Sequence, residues 1–332
     1  FQAEDGIRDF CLSRGLGDVY KRQIPIQQAY SNIFQRQKSV SSLKISEDGI
    51  RAYIGEKLSP SSEHYFINDN FIKHITLDSA LGLPNGCPMS CDYCPGYRKH
   101  REFTVDKTIV GDFNDNIKEY LFNEAMVSIY GIEHPSILYG GDTDSLIYVD
   151  TICEIVKWYT DKVVPMIGKD IWHHCYTTGM FTTEEDLEKL AEAGVNELHF
   201  HLGASDFSET AYNTMRLARI YMDSIIVETP SYPKHKDQLF KMLPIIEDIG
   251  VDQLNLSAID IKNVNRERLH GDAYKAFNMV LDDGGLVYDI MKEVIEKGYS
   301  YSVLDLNNFV VMHSQGEAKE VLLQDNCENC SA

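Results

Sequence analysis

From residue 71 onward the chain alternates short β-rich runs with helical runs, and the β-rich runs carry polar residues at every second position. Expected strands lie at 72–77, 136–139, 171–177, 197–202, 224–229 and 252–257, with helical stretches between most of them. Alternate strand residues face opposite sides, so Glu197, His199 and His201 share one face while Leu198, Phe200 and Leu202 share the other. Gln253, Asn255 and Ser257 repeat the pattern against Leu254 and Leu256, and Ser224 and Glu228 follow it less cleanly. A flat sheet covered by helices on both faces reads as nearly continuous apolar runs. These strands do not, so apolar residues turned outward under helices and polar ones turned into a lumen point to a barrel or part-barrel that holds a polar ligand. The helix before the fourth strand is well punctuated. Thr182/Glu185 and Thr183/Asp186 both fit a capping box, Leu187, Leu190 and Ala191 share one face, and Gly194 ends it, as Gly250 and Gly298 end later helices.

The chain has 332 residues, with 43 % hydrophobic and 25 % charged, which is ordinary globular usage and excludes a disordered chain. No apolar run approaches the ~18 residues of a membrane span. Against 31 Lys+Arg stand 51 Asp+Glu, a net charge of -20 that repels a phosphate backbone, so nucleic acid is a poor partner. Residues 1–23 resemble a translated sequencing-adapter scar and are set aside from the fold, together with Cys11. Residues 24–70 are expected to form a peripheral lead-in, 71–261 the βα core, and 262–332 a C-terminal extension.

Of eight cysteines, three fall as Cys87-Pro-Met-Ser-Cys91-Asp-Tyr-Cys94, just after the first expected strand and a loop with Gly82, Pro84 and Gly86. Three thiolates so close on one loop can wrap one corner of a cubane cluster and leave one iron open. A zinc site would want a fourth protein ligand, and a disulfide would strand one thiol. Tyr139-Gly140-Gly141-Asp142 closes the next strand about 45 residues later, where two glycines let backbone approach a ligand.

This C-x3-C-x2-C loop, with its Cys-Pro opening, Tyr93 before the last cysteine and a strand-terminal Gly-Gly-acid, resembles the radical S-adenosylmethionine superfamily. The resemblance implies an α/β fold, an open six-stranded (β/α)6 partial TIM barrel, over roughly residues 71–261. It implies a [4Fe-4S] cluster on Cys87, Cys91 and Cys94 and S-adenosylmethionine at its open iron. One-electron reduction of the sulfonium would then give methionine and a 5′-deoxyadenosyl radical. Gly140, Gly141 and Asp142 would hold the amino group of the methionine moiety, and Tyr93 would offer backbone contacts to adenine. Asp142 is one methylene shorter than the usual Glu. Thr177, Thr178, His201 and Glu228, at or near strand carboxyl ends, are the further cofactor contacts expected.

The resemblance also implies a reducing cytoplasm and an electron donor such as flavodoxin or ferredoxin. The substrate would be a peptide or protein, with a small molecule or RNA as the alternative, and a non-catalytic electron carrier as a remote one. Gly86-Cys87 and Val227-Glu-Thr-Pro230 look most like the activases of glycyl-radical enzymes. Tyr176-Thr177-Thr178-Gly179 departs from the Asp-Thr-Asn-Gly typical of those activases, and their Asp-x-Lys has no counterpart around His201-Leu-Gly-Ala-Ser. A zinc site of His199, His201 and Cys175 is the weaker reading of the lumen histidines. His173 and His174 straddle both faces of their strand, and Cys153 reads as a buried helix residue. Cys327 and Cys330, near the end, are too few for an auxiliary cluster or zinc without Cys153, Cys175 or another chain, and are expected in a solvated tail.

Overall fold

The computed structural model describes residues 40–45, 51–63, 87–94, 113, 115–128, 131, 134–140, 144–257, 259 and 273–306. The expected strand at 72–77, the loop of Gly82, Pro84 and Gly86, Gly141, Asp142 and the tail cysteines Cys327 and Cys330 lie outside the described residues. The strands are β1 Lys44–Ile45, β2 Ala52–Ile54, β3 Ser136–Tyr139, β4 Trp172–Thr177, β5 Glu197–Phe200, β6 Ser224–Pro230, β7 Gln253–Ser257 and β8 Ser302–Asp305. The helices are α1 Pro60–Glu63, α2 Asp115–Ser128, α3 Val149–Lys162, α4 Val164–Ile167, α5 Glu184–Ala193, α6 Glu209–Tyr221, α7 Lys236–Ile249 and α8 Ala273–Lys297.

One sheet of eight strands runs β1-β2-β8-β7-β6-β5-β4-β3, open among the described residues. β3 to β8 pair in parallel, each with its successor, while β2 lies antiparallel on β8 and β1 antiparallel on β2. This is the expected open α/β part-barrel, extended at one edge. β8 and the β1–β2 pair come from segments that the sequence placed in the C-terminal extension and the lead-in.

The outward strand residues Ile137, Leu198, Phe200, Ile225, Val227, Leu254, Leu256 and Val303 are all fully buried. They share one core with Ile152, Ile155 and Val156 of α3, Leu187 and Leu190 of α5, Met215 of α6 and Leu243 and Ile246 of α7. Burying a side chain of this size is worth about 1.5–3 kcal/mol, so the helical cover is what holds the sheet. Of the two possible caps of α5, the chain uses the second. Thr183 Oγ1 accepts from Asp186 N–H at 3.2 Å, and Asp186 accepts from Thr183 N–H at 2.8 Å. Gly194 closes that helix at φ +104°, a conformation that costs a residue with a Cβ.

Most of the inward residues are polar, and those nearest the strand starts are buried. His174 stands opposite Glu197, Tyr176 opposite His199, and Glu228 opposite Asn255. The chain before and through α1 packs on this face where the strands begin. Ser59 N–H donates to Gln253 Oε1 at 2.7 Å, Gln253 Nε2 donates to Ser62 Oγ at 2.9 Å, and Ser61 Oγ lies 3.2 Å from His199 Nε2. Gln253 opens β7, so these serines satisfy lumen groups at the amino ends of the strands. The other end, where the strands finish, remains for a ligand.

Candidate active site

At the carboxyl ends of the strands the loop of Cys87, Cys91 and Cys94 is held by its aromatic residue. Tyr93 is buried, with its ring 5.8 Å from that of His201, 5.8 Å from Tyr232 and 6.0 Å from His235. Gly203, just past β5, admits this ring: a Cβ there would sit 2.8 Å from both the Tyr93 hydroxyl and Thr229 Oγ1. Cys91 Sγ reaches the Ala204 carbonyl at 3.9 Å, and Asp92 pairs with Lys234 at the surface.

None of the three thiols is in a disulfide, and Cys87 is buried while the other two are partly so. Burial pushes the Cys87 thiol up to about 11 and the Cys91 thiol up to about 12, and the neighbouring cysteines add to both. The Met89 and Asp144 backbones hydrogen-bond to Cys87, and the Tyr93 hydroxyl to Cys91, each favouring the thiolate. Like charges crowded together, with donors already turned toward sulfur, fit a positively charged iron core that draws the thiolates to it. No three His, Cys, Asp or Glu among the described residues are grouped to hold a single metal ion. Cys175 lies in the outward core while His199 and His201 face the lumen, which removes the zinc reading. Cys153 is likewise buried in that core, as its place on α3 predicts.

The other expected contacts are held in different ways. His201 stands beside Tyr93 with its Nδ1 unpartnered and out of reach of water. Burial pulls its pKa down to about 4, so the ring is neutral near pH 7. Gly140 ends the segment after β3, where a Cβ would press within 3.3 Å of the Tyr176 ring. Thr178 is turned to a neighbour instead: its N–H and its hydroxyl both donate to Asp144 Oδ2, at 2.8 and 2.5 Å. Thr177 Oγ1 accepts from Gly179 N–H at 3.0 Å, closing the turn. Glu228 lies one step deeper. Its Oε2 accepts from Tyr176 at 2.9 Å and from Asn255 at 3.0 Å, and stands 3.4 Å from His199 Nδ1.

His199 is the centre of the buried charge. Its Nε2 is 2.6 Å from Glu197 Oε1, so the ring bridges two carboxylates. Burial alone would lower its pKa, but Glu197 and then Glu228 outweigh burial and hold it up at about 9. Burial would raise the Glu228 carboxyl, yet His199, Asn255 and Tyr176 keep it below the ordinary value. A pH optimum of stability follows. Between the unfolded value of 6.5 and about 9 the folded chain holds a proton on His199 that the unfolded chain lacks, so stability falls as pH rises. His173 is held neutral down to about 3 and His201 to about 4, so below 6.5 the unfolded chain takes up protons first and stability falls as pH drops. Urea midpoints of the metal-free protein are expected to peak near the shared unfolded value of 6.5 and decline on both sides. A midpoint still rising through about pH 8 contradicts this assignment of charge.

Asp144, Tyr232 and His235 belong to this site and were not singled out by the sequence. Asp144 alone carried a signal, as a second acid two residues beyond Asp142.

No curated protein matches the chain. Among solved structures it is similar to a histidine-tagged form of anSMEcpe with bound AdoMet, at 11 % identity and TM-score 0.47, over 66 % of this chain and 59 % of that one. It is similar to SuiB of Streptococcus suis bound to S-adenosylmethionine at 10 % identity and TM-score 0.44, over 70 % and 50 % of the two chains. For Escherichia coli coproporphyrinogen III oxidase (HemN), described as a radical SAM enzyme, the values are 14 %, 0.43, 68 % and 52 %. The chain thus spans 50–59 % of the length of these structures. Residues 82–221 match the family described as the radical SAM superfamily, a span that holds the three cysteines, the glycine turn, Thr177, Thr178 and His201. Residues 82–221 thus carry a radical SAM domain.

Proposed function

We propose that this chain is an enzyme that cleaves S-adenosylmethionine reductively and directs the resulting radical at a hydrogen of a peptide or protein substrate. The observation that carries the reading is the loop of Cys87, Cys91 and Cys94, pinned by Tyr93 over the open end of a polar-lined part-barrel. When bound to these cysteines, a [4Fe-4S] cluster supplies the electron that divides the carbon–sulfur bond of the sulfonium.

The chain's own residues supply position and environment. Tyr93, Gly140, Gly141, Asp142 and His201 would hold the nucleoside and the amino acid moiety, with Thr177, Thr178 and Glu228 behind them. A neutral His201 keeps a second positive charge away from a sulfonium, and Glu228 beneath it favours one. Tyr93, Tyr232 and His235 form an aromatic wall that limits water at the strand ends. Flavodoxin or ferredoxin is the proposed electron donor. The alternatives are a small molecule or RNA as the hydrogen donor; the likeness of Gly86-Cys87 and Val227-Glu-Thr-Pro230 to activases favours a protein or peptide.

Hydrogen transfer is the test of substrate class. Anaerobic turnover in the presence of extensively deuterated peptide pools is expected to place deuterium in 5′-deoxyadenosine. Label that arrives from deuterated metabolites or RNA, and none from peptide or protein, contradicts the peptide reading.

A further inference from the structure

Asp144 is 3 % exposed, and it touches three parts of the site at once. Its Oδ2 accepts the N–H and hydroxyl of Thr178 at the end of β4. Its Oδ1 accepts Leu146 N–H at 3.2 Å, capping the 3-10 turn Ser145–Tyr148. Its backbone hydrogen-bonds to the Cys87 thiol, and its carboxylate lies close enough for the two charges to interact. The next residue fastens the same segment again, as the Ser145 hydroxyl donates to the Tyr176 carbonyl.

Capping explains one of these contacts. A residue that served the 3-10 turn alone would need the Leu146 bond and neither the two bonds from Thr178 nor the approach to Cys87. Burial raises the Asp144 carboxyl above its ordinary value, and the three donors that face it, Thr178 N–H and hydroxyl and Leu146 N–H, counter that by favouring the ionised form.

We propose that Asp144 is a positioning residue that locks the first cluster cysteine and the end of β4 into one register. The cluster and the β4 end of the S-adenosylmethionine site are thereby presented at a fixed separation, with a buried carboxylate beside Cys87. The proposal rests on the radical SAM reading of the cysteine loop. Asp144→Asn keeps the size and removes the charge. After anaerobic reconstitution it is expected to retain about four irons per chain. Its midpoint potential without S-adenosylmethionine should rise, because a negative charge beside a cluster ligand disfavours the reduced form. A tenfold shift of that one-electron equilibrium corresponds to about 59 mV. The dissociation constant for S-adenosylmethionine, measured by calorimetry, should rise about tenfold as the register loosens. A cap alone would move neither quantity.

Wild-type potential and affinity in an iron-loaded Asp144→Asn protein overturn the proposal. Should that variant fail to load iron, Thr178 decides instead, since its replacement leaves Asp144 and its charge in place. Thr178→Val is then expected to weaken S-adenosylmethionine binding and Thr178→Ser to restore it; wild-type affinity in the valine variant overturns the proposal. If the wild-type protein itself fails to load iron or bind S-adenosylmethionine, the radical SAM reading falls first, and that outcome is distinct from a variant that behaves as wild type.

Discussion

Replacing Cys87, Cys91 and Cys94 together with alanine is expected to abolish both cluster iron and reductive cleavage of S-adenosylmethionine while leaving the barrel folded. The thiols are the sulfur donors brought together at the strand ends, and cluster assembly needs all three. Folding does not, because Tyr93, Tyr232 and Ile259 form a small apolar cluster of their own, separate from the main core beneath the helices. The metal-free variant should therefore keep the circular dichroism and urea midpoint of the metal-free wild type. Full iron and sulfide content in the triple variant would refute the assignment of these ligands.

His199→Ala should have the largest effect on folding of any lumen substitution. Glu197 is fully buried, its Oε1 is 2.6 Å from the imidazole, and its Oε2 has no partner. Removing the ring leaves a buried carboxylate without compensation, and breaking a buried pair from one side costs about 3–5 kcal/mol. The double change Glu197→Gln with His199→Gln removes both charges and should recover most of the loss. Urea unfolding of the metal-free proteins gives both numbers. A single-variant cost below about 1 kcal/mol, the value of an exposed pair, would show that the imidazole carries no such charge.

How far the sequence revealed this site depended on the range of each contact. Glu197, His199 and His201 could be read as one face because period-2 alternation is local, and the structure keeps that face polar. The cysteine spacing is local too. β8 was missed because Ser302–Asp305 has four residues and gains its identity from pairing with β7 and β2. Ser59, Ser61 and Ser62 fell within the expected peripheral lead-in, since their partner Gln253 lies 194 positions from Ser59. Asp144 escaped for the same reason: Thr178 is 34 positions away, and the link to Cys87 runs through the Asp144 backbone, which no residue type encodes. Thr178 was read from its strand-end position as a cofactor contact, whereas its hydroxyl is turned to Asp144.

The central claim is that this chain cleaves S-adenosylmethionine reductively at a cluster held by the Cys87 loop. Its most direct test is anaerobic incubation of the reconstituted protein with dithionite and S-adenosylmethionine, followed by quantitation of 5′-deoxyadenosine and methionine. The account predicts both products in equal amounts, dependent on dithionite and absent from the triple alanine variant. A protein that carries a full cluster and releases neither product would contradict it and leave an electron carrier in its place.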